Sequence, residues 1–188
     1  MVCNKSMMML CKCVNLALLF RVIMLGLDHF SVSGIDCSVP VRNGERCEVK
    51  CVRPSQLSSN EKEEIFNLLQ VNMKDLYEQT WGWNKDEKWK DVFHPESRLI
   101  VVSVSPISSE EFGTTEPSVK TISAFVAFRF TWDDEDEPEY PVVYVYELQI
   151  AATHHRLGIG QKLMRHCGDI ARHWKMQKLV SYLLIFIL

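Results

Sequence analysis

The sequence predicts a single mixed α/β domain, and three observations support that fold class. Runs rich in β-branched and aromatic residues alternate with helical patterns in the order β-α-α-β-β-β-α-β. The 188 residues suffice to bury one full core. The composition, 47% hydrophobic and 24% charged, is ordinary for a globular domain. Helices placed between strands in this order indicate a mixed central sheet flanked by helices.

The first half of that order is a short strand followed by two helices. We expect the strand at about Glu48–Arg53. Ser58–Glu61 has the pattern of a capping box, so a helix begins there, and its apolar residues recur with helical spacing to about Tyr77. Asn84–Glu87 predicts a second cap. It opens a short helix whose inward residues are Trp89, Val92 and Phe93.

The second half contains three long strands, a helix and a last strand. The helix begins after Gly158 and has one apolar face. The apolar run Leu179–Leu188 predicts a buried final strand. The three long strands, rich in Val, Ile and aromatic residues, are expected at Leu99–Ser105, Thr121–Phe130 and Tyr140–Ile150.

An N-terminal segment, residues 1–39, is set apart from the predicted domain at 40–188. Met7–Leu27 is largely apolar, but Lys12 and Arg21 interrupt it. Charges inside an apolar stretch argue against a signal peptide or a membrane span. We therefore expect an atypical apolar helix or a disordered segment, with no membrane attachment. A secretory leader or a membrane anchor is the alternative.

Charge and cysteine usage argue against several classes of function. The net charge of -3 gives no basic patch for direct nucleic-acid binding. The seven cysteines do not form two clusters with the spacing of a zinc site, so no metal is expected. We interpret them as small core residues in a reducing compartment. His94, His166 and His173 show no ligand-like grouping and are predicted on the surface.

A glycine-containing turn, His155–Gly160, lies between the last long strand and the helix that follows. Glycines at a helix N-terminus let backbone amides approach an anion, and the helix dipole favours negative charge there. Arg156 adds a charge-assisted contact to phosphate. The turn suits a pyrophosphate, although glycine pairs also form ordinary turns. It lacks a third glycine, since Leu163 stands at the Rossmann position, and it lacks the Gly-Lys-Ser/Thr of a P-loop.

A strand, the pattern Arg/Gln-x-x-Gly-x-Gly/Ala and an amphipathic helix together resemble the acetyl-coenzyme A signature of the GNAT superfamily. His155 stands where that family usually has Arg or Gln. More specific segments are similar to the NatD-type N-alpha-acetyltransferases within the superfamily. They are Asn72–Trp83, Phe128–Phe130 with its acidic turn, Tyr144–Gln149 and Met176–Leu179. The resemblance extends from about Pro40 to about Leu179.

The resemblance implies a GNAT acyltransferase fold and acetyl-coenzyme A (acetyl-CoA) as co-substrate. It also implies that the family's last helix and two strands are missing here, because the chain departs from the family at Ser181 and stops at Leu188. The amides of Leu148 and Ile150 are expected to hold the cofactor by extending strand pairing. The other implied cofactor contacts lie between the strand end and the helix, at Ala151, Ala152, His155, Arg156, Leu157, Gly158, Ile159, Gly160, Gln161, Lys162 and Leu163.

Glu147 is the candidate general base. A carboxylate in an apolar strand is seldom buried without a partner. An acceptor amine with a reference pKa of about 8 must lose a proton before it attacks a thioester. A glutamate that faces water at a sheet edge is the alternative, and the resemblance favours the catalytic interpretation.

Four further residues gain roles from the resemblance. Tyr77, with a catalytic role, and Trp81 shape the substrate site, while Tyr144 and Tyr146 line the peptide pocket. Alternation along a strand places the last two on one face. Ordinary packing is the alternative for each of these aromatic residues.

The acidic run Asp133–Glu139 carries six acids in seven residues. Such a run is usually a solvated loop. The resemblance implies basic substrates that start Ser-Gly-Arg-Gly, the N-terminal tails of histone H4 and histone 2A, and an acidic turn would attract them. Asp133 is the candidate contact.

The implied mechanism is direct transfer from acetyl-CoA to the N-terminal serine, without an acyl-enzyme, by a monomer of the cytoplasm and nucleus. The sequence places no base beside a Cys or Ser. Two alternatives stay open. One is a catalytically impaired truncated form that only binds acetyl-CoA or the histone tail, and the other is an acetyltransferase for lysine or a small amine.

Overall fold

The computed structural model describes residues 39–80, 82–107, 120–132 and 140–181. Within these ranges the strands are β1 (Glu45–Val52), β2 (Arg98–Pro106), β3 (Thr121–Trp132), β4 (Pro141–Ile150) and β5 (Lys178–Ser181). The helices are α1 (Ser59–Thr80), α2 (Lys85–Val92) and α3 (Ile159–His173). The strands form one sheet in chain order, antiparallel from β1 to β4 and parallel between β4 and β5. The predicted mixed α/β class and order of elements are confirmed.

Both predicted helix caps are present. The amide of Glu61 donates to the Ser58 hydroxyl at 3.2 Å, and the amide of Ser58 donates to the Glu61 carboxylate at 2.9 Å. Asn84 accepts from the amides of Asp86 and Glu87 at the start of α2. Because each cap satisfies amides that a helix leaves unpaired, these short polar segments fix where α1 and α2 begin.

The sheet is covered on both faces. On one face Ile65, Phe66 and Leu69 of α1 and Val92 of α2 pack on the sheet. Their strand partners in this core include Leu99, Val101, Phe125 and Ala127. On the other face α3 buries Leu163, Cys167 and Ile170 of its predicted apolar face, together with Ile159. Burial raises the pKa of the Cys167 thiol to about 12, so this cysteine is a core residue and not a nucleophile.

The structure corrects several details. β1 begins at Glu45 rather than Glu48, and α1 continues past Tyr77 to Thr80. His166 is buried, because it lies on the inward face of α3. β5 pairs with β4 alone within the described residues, and its Leu179 is 37% exposed, so this part of the last strand is not buried as predicted.

Two predicted segments fall beyond these ranges. Residues 1–38 of the N-terminal segment and residues 182–188 of the last strand lie outside the described residues. In the part of the chain that the structure describes, no helix is long and apolar enough to cross a membrane.

An irregularity in β4 decides which residues share a face. Ala127 of β3 pairs with Glu147, but the next residue, Phe128, pairs with Val145. Tyr146 is therefore the extra residue of a β-bulge. Strict alternation would put Glu147 on the face opposite Tyr144 and Tyr146. The bulge resets the alternation and turns Glu147 toward α1 and α2, the side on which the two tyrosines lie.

Replacing Leu69, which is fully buried in the α1 face of the core, with alanine is expected to lower the free energy of unfolding by roughly 2–5 kcal/mol. The loss reflects transfer of the removed groups and the cavity that remains. Urea unfolding followed by circular dichroism measures it. Val71→Ala, at an 83% exposed position of the same helix, is the matched control and should change stability little.

Stability should also depend on Glu61. Its hydrogen bond with Lys50, followed by that with the Ser58 amide, lowers the pKa of Glu61 from 4.5 to about 2. The stabilisation is complete above pH 4.5 and is lost as the pH falls through about 2. Urea titrations at pH 6 and pH 2.5 should show a smaller acid loss for Glu61→Gln than for the unmodified chain. Glu63→Gln, at an exposed position of the same helix, is the control and should lose as much stability at pH 2.5 as the unmodified chain. If Glu61→Gln also loses that much, Glu61 is not the source of the acid sensitivity.

Candidate active site

The centre of the site is the carboxylate of Glu147, which is 7% exposed. Its Oε1 accepts from the Tyr77 hydroxyl and the Lys88 ammonium, each at 3.4 Å. Its Oε2 accepts from the Gln149 amide at 3.1 Å. Three elements thus converge on one carboxylate: α1, α2 and β4 itself. Each oxygen of this buried carboxylate therefore has a hydrogen-bond donor, as a buried acidic group requires.

Lys88 contacts both candidate catalytic residues. Its ammonium donates to the Tyr77 hydroxyl at 2.9 Å and lies 4.2 Å from the centre of the Tyr77 ring. Burial alone would lower the pKa of Lys88, but the hydrogen bond to Tyr77 and the charge of Glu147 outweigh burial and raise it. Lys88 is therefore a permanent cation within the site, paired with Glu147.

The other side of Glu147 is fixed by two amides. Gln149 follows Glu147 on the same face of β4, and its Oε1 accepts from Asn72 of α1 at 3.0 Å. Asn72 also donates to the carbonyl of Ile150 at 3.0 Å. These contacts tie the end of β4 to the middle of α1 and hold the Gln149 amide toward the carboxylate.

A pair of tyrosines forms the wall beside Glu147. The ring centres of Tyr144 and Tyr146 are 4.4 Å apart. The guanidinium of Arg129 lies 4.3 Å from the centre of the Tyr146 ring, and it also donates to the Ser97 hydroxyl and the Asp91 carbonyl. Tyr146 is 38% exposed, so this wall faces solvent. The structure brings Tyr77, Tyr144, Tyr146 and Glu147 to one side of the sheet.

The glycine turn lies at the other end of β4. Gly158 caps α3 with φ of 81° and no capping side chain. The first amides of the helix therefore have no side-chain acceptor at the cap position. At Gly160 a β-carbon would lie 3.1 Å from Cδ1 of Ile150 and 3.7 Å from Cδ2 of Leu148. The absence of a side chain there lets the helix approach the strand closely.

The residues predicted to bind the cofactor are of three kinds: those whose amide or side chain is already engaged or buried, His155 at the strand end, and those on the outside of the turn. The amide of Ala151 already donates to Ser123, Ala152 lies in a short 3-10 turn, and Ile159 and Leu163 have buried side chains. A ring nitrogen of His155 lies 2.9 Å from the Ile150 carbonyl. Lining the outside of the turn are Arg156, Leu157, Gly158, Gly160, Gln161 and Lys162.

Beyond Val145 the described pairing of β4 with β5 ends, so the β4 edge at Leu148 and Ile150 has no described partner strand. Trp81 and Asp133 lie outside the described residues. Across the described ranges, no group of three or more His, Cys, Asp or Glu residues is placed to hold a metal ion.

The sequence did not assign a role in the site to four of the contacting residues: Asn72, Lys88, Arg129 and Gln149. Two carried a signal, since Gln149 is a second polar residue in the apolar β4 and Asn72 interrupts the apolar face of α1. Lys88 and Arg129 carried none, because a cation on a short helix or a strand is ordinarily solvated.

The fold and site define an enzyme class in which a mixed sheet presents a buried carboxylate beside a glycine turn at a helix N-terminus. The acetyltransferase (GNAT) family profile matches residues 63–185. The chain belongs to the GNAT acetyltransferase family.

Among curated proteins, N-alpha-acetyltransferase 40 of Saccharomyces cerevisiae (strain ATCC 204508 / S288c) is 36% identical to this chain over 61 residues. The match covers 28% of this chain and 21% of the yeast protein, so it spans about a fifth of that relative's length.

Solved structures with a similar backbone include acetyltransferases of differing substrates. An aminoglycoside acetyltransferase, meta-AAC0020, from an uncultured soil metagenomic sample has a TM-score of 0.46 and 12% identity, covering 73% of this chain and 77% of that one. The ribosomal-protein-alanine N-acetyltransferase of Brucella melitensis biovar Abortus 2308 has a TM-score of 0.45 and 12% identity, covering 72% and 79%. Likeness at this level carries no inference about the substrate.

The glycine turn fits the co-substrate of the family, acetyl-CoA. The uncapped amides at Gly158 and the positive end of the α3 dipole suit a pyrophosphate. At Gly160 the missing side chain lets α3 lie close to Leu148 and Ile150, which brings the turn next to the end of β4. The β4 edge at Leu148 and Ile150 offers backbone groups for an extended arm. The contacts predicted from the sequence remain predictions at the level of single residues.

Gly158→Ala is expected to lower the free energy of unfolding by about 1–2 kcal/mol, because φ of 81° is strained for a residue with a β-carbon. Chemical denaturation gives the value. Gly168→Ala, inside the same helix, is the control; its β-carbon would meet only the Arg172 guanidinium at 3.7 Å, and it should stabilise by up to about 1 kcal/mol. If Gly158→Ala is as stable as the unmodified chain, the left-handed cap is not a constraint.

Proposed function

We propose that this chain is a protein N-terminal α-amino acetyltransferase of the NatD type. It transfers an acetyl group from acetyl-CoA to the N-terminal serine of histone H4 and histone 2A. The observation that carries this proposal is the buried Glu147 carboxylate, held on both oxygens beside the Tyr144–Tyr146 wall. The partial similarity to a yeast N-alpha-acetyltransferase supports the choice of an N-terminal amine.

Each step on the protein side follows from the contacts of Glu147. When bound, acetyl-CoA would supply a thioester carbonyl open to attack by an amine; the C–N bond forms as the C–S bond breaks, and coenzyme A would leave as the thiol. Glu147 takes the proton of the substrate α-amine, directly or through one water. Tyr77 and Lys88 hold Oε1, and Gln149 holds Oε2, so the carboxylate does not rotate away during transfer. Tyr144 and Tyr146 flank the first residues of the peptide.

The proposed substrates are basic tails that start Ser-Gly-Arg-Gly. The acidic run Asp133–Glu139 follows β3 directly in the sequence, and the strand's Arg129 contacts the Tyr146 wall. Negative charge in this run would speed the encounter with a basic tail and make it salt-dependent. We further propose that the chain acts as a monomer in the cytoplasm and nucleus.

A peptide panel tests the proposal. The purified chain with acetyl-CoA should acetylate a free-amine Ser-Gly-Arg-Gly peptide and leave its N-terminally blocked copy unmodified, as followed by mass spectrometry. If the chain acetylates none of a panel of small amines, the alternative of a small-amine acetyltransferase is excluded. Calorimetric binding of acetyl-CoA without turnover of any peptide would instead indicate a chain that only binds.

Glu147→Gln should lower kcat/KM for the Ser-Gly-Arg-Gly peptide by about 10²- to 10⁴-fold, because the amide cannot accept the amine proton. Binding of acetyl-CoA should be retained. The matched control is Glu78→Gln, which removes an exposed acid of α1 paired with Lys74 and should leave kcat/KM within about twofold. Unchanged turnover in Glu147→Gln would remove Glu147 from the role of base.

A further inference from the structure

The base of the site is not a lone carboxylate but half of an ion pair. The Lys88 ammonium lies 3.4 Å from Oε1 of Glu147, and their side chains are only 23% and 9% exposed. Lys88 belongs to α2, while Glu147 belongs to β4, so tertiary packing creates this pair. A positive charge at this place repels a protonated amine, and an amine in water near neutral pH is ordinarily protonated in large part.

We infer that Lys88 is a specificity-determining residue that restricts the site to amines which are largely neutral near pH 7.5, and so to protein α-amines rather than lysine ε-amines. The inference rests on the proposed function and deepens it. It assigns the choice of amine class to a side chain of α2 that touches the base.

The reasoning is electrostatic. Glu147 alone would attract any ammonium group, whatever its pKa, because an opposite charge in a poorly solvated site favours the charged form. With Lys88 beside it the pair has no net charge, so a protonated amine loses hydration without gaining a net attraction. The raised pKa of Lys88 keeps the ammonium charged over the working range. The site therefore favours the neutral amine.

The reference pKa values turn this preference into selectivity. An α-amine with a pKa of about 7.8 is roughly one-third neutral at pH 7.5, whereas a lysine with a pKa of about 10.4 is roughly 0.1% neutral. A site that takes only the neutral form thus favours the α-amine by a few hundredfold. No contact with the rest of the substrate is needed for that discrimination.

The other groups around the Lys88–Glu147 pair do not add negative charge that would attract a protonated amine. From α1, the Tyr77 hydroxyl accepts from Lys88 and donates to Glu147, so it adds no charge. From β3, the guanidinium of Arg129 lies against the Tyr146 ring and adds a second positive charge to the same side of the sheet. From β4, Gln149 is neutral. Of these groups, Lys88 is the charged partner in contact with Glu147, and Arg129 adds positive charge at the Tyr146 wall.

The test uses two substrates and charge-matched variants of the full chain. One peptide is Ser-Gly-Arg-Gly with a free α-amine and no lysine; the other has a blocked N-terminus and one lysine. Lys88→Gln keeps a donor for Tyr77 but removes the charge, and Lys88→Arg keeps both. The α-to-ε ratio of kcat/KM should fall at least tenfold in Lys88→Gln and be preserved in Lys88→Arg, even where kcat is reduced.

A binding measurement gives a readout that does not depend on turnover. In the unmodified chain, calorimetric affinity for the free-amine peptide should rise about tenfold from pH 6.5 to pH 8.5, as the amine loses its proton. The blocked peptide controls for other titrations. The rise should flatten in Lys88→Gln, whose site is negative. In Glu147→Gln, whose site is positive, affinity for the free-amine peptide at pH 6.5 should be lower than in the unmodified chain. This variant provides a second test if Lys88→Gln does not fold.

The outcomes separate the two proposals. If the unmodified chain acetylates the α-amine and Lys88→Gln keeps the same ratio and the same pH dependence of binding, the inference about Lys88 is wrong and the proposed function stands. If the unmodified chain prefers lysine, the proposed function and this inference both fail. If it turns over neither peptide, the binding profiles alone decide the role of Lys88.

Discussion

The β-bulge at Tyr146 is the constraint on which the rest of the site depends. One extra residue in β4 changes the side-chain alternation, so that Tyr144, Tyr146 and Glu147 all face α1 and α2. Without it, Glu147 would point to the α3 face and meet the apolar side of that helix. The same shift places Leu148 and Ile150 against Gly160, where the helix lies close to the strand. One irregularity thus places the candidate base on one face and the glycine turn on the other.

Burying a carboxylate in the middle of a sheet costs free energy unless its oxygens accept hydrogen bonds. In this fold the donors come from separate elements. Tyr77 comes from the last turns of α1, Lys88 from α2 and Gln149 from β4. Asn72 then ties Gln149 and the Ile150 carbonyl to α1. Because every partner comes from a regular element, the carboxylate is held by the packed core and not by a loop.

The middle and the C-terminal end of β4 carry different parts of the candidate site. Toward its middle, the strand carries the tyrosine wall and the candidate base Glu147, which face the side of α1 and α2. At its C-terminal end, the chain turns through a 3-10 segment into α3, whose glycine cap leaves amides without a side-chain acceptor. A single strand and its following helix therefore bring the candidate base and the glycine turn together within a short length of chain. This arrangement agrees with membership of the GNAT acetyltransferase family.

The sequence by itself determined what local chemistry can specify. The capping box at Ser58, the N-cap at Asn84, the helical spacing of α1 and α3, and the glycines of the turn predicted the order of elements correctly, because each signal lies within a few residues. It also singled out Glu147, since a carboxylate in an apolar strand is rare. Only the tertiary structure decided that Lys88 and Gln149 hold this carboxylate, that His166 is buried, and that a bulge resets the face of β4. Those outcomes depend on contacts between residues such as Lys88 and Glu147 that are far apart in the chain, and on a register shift that no local pattern encodes.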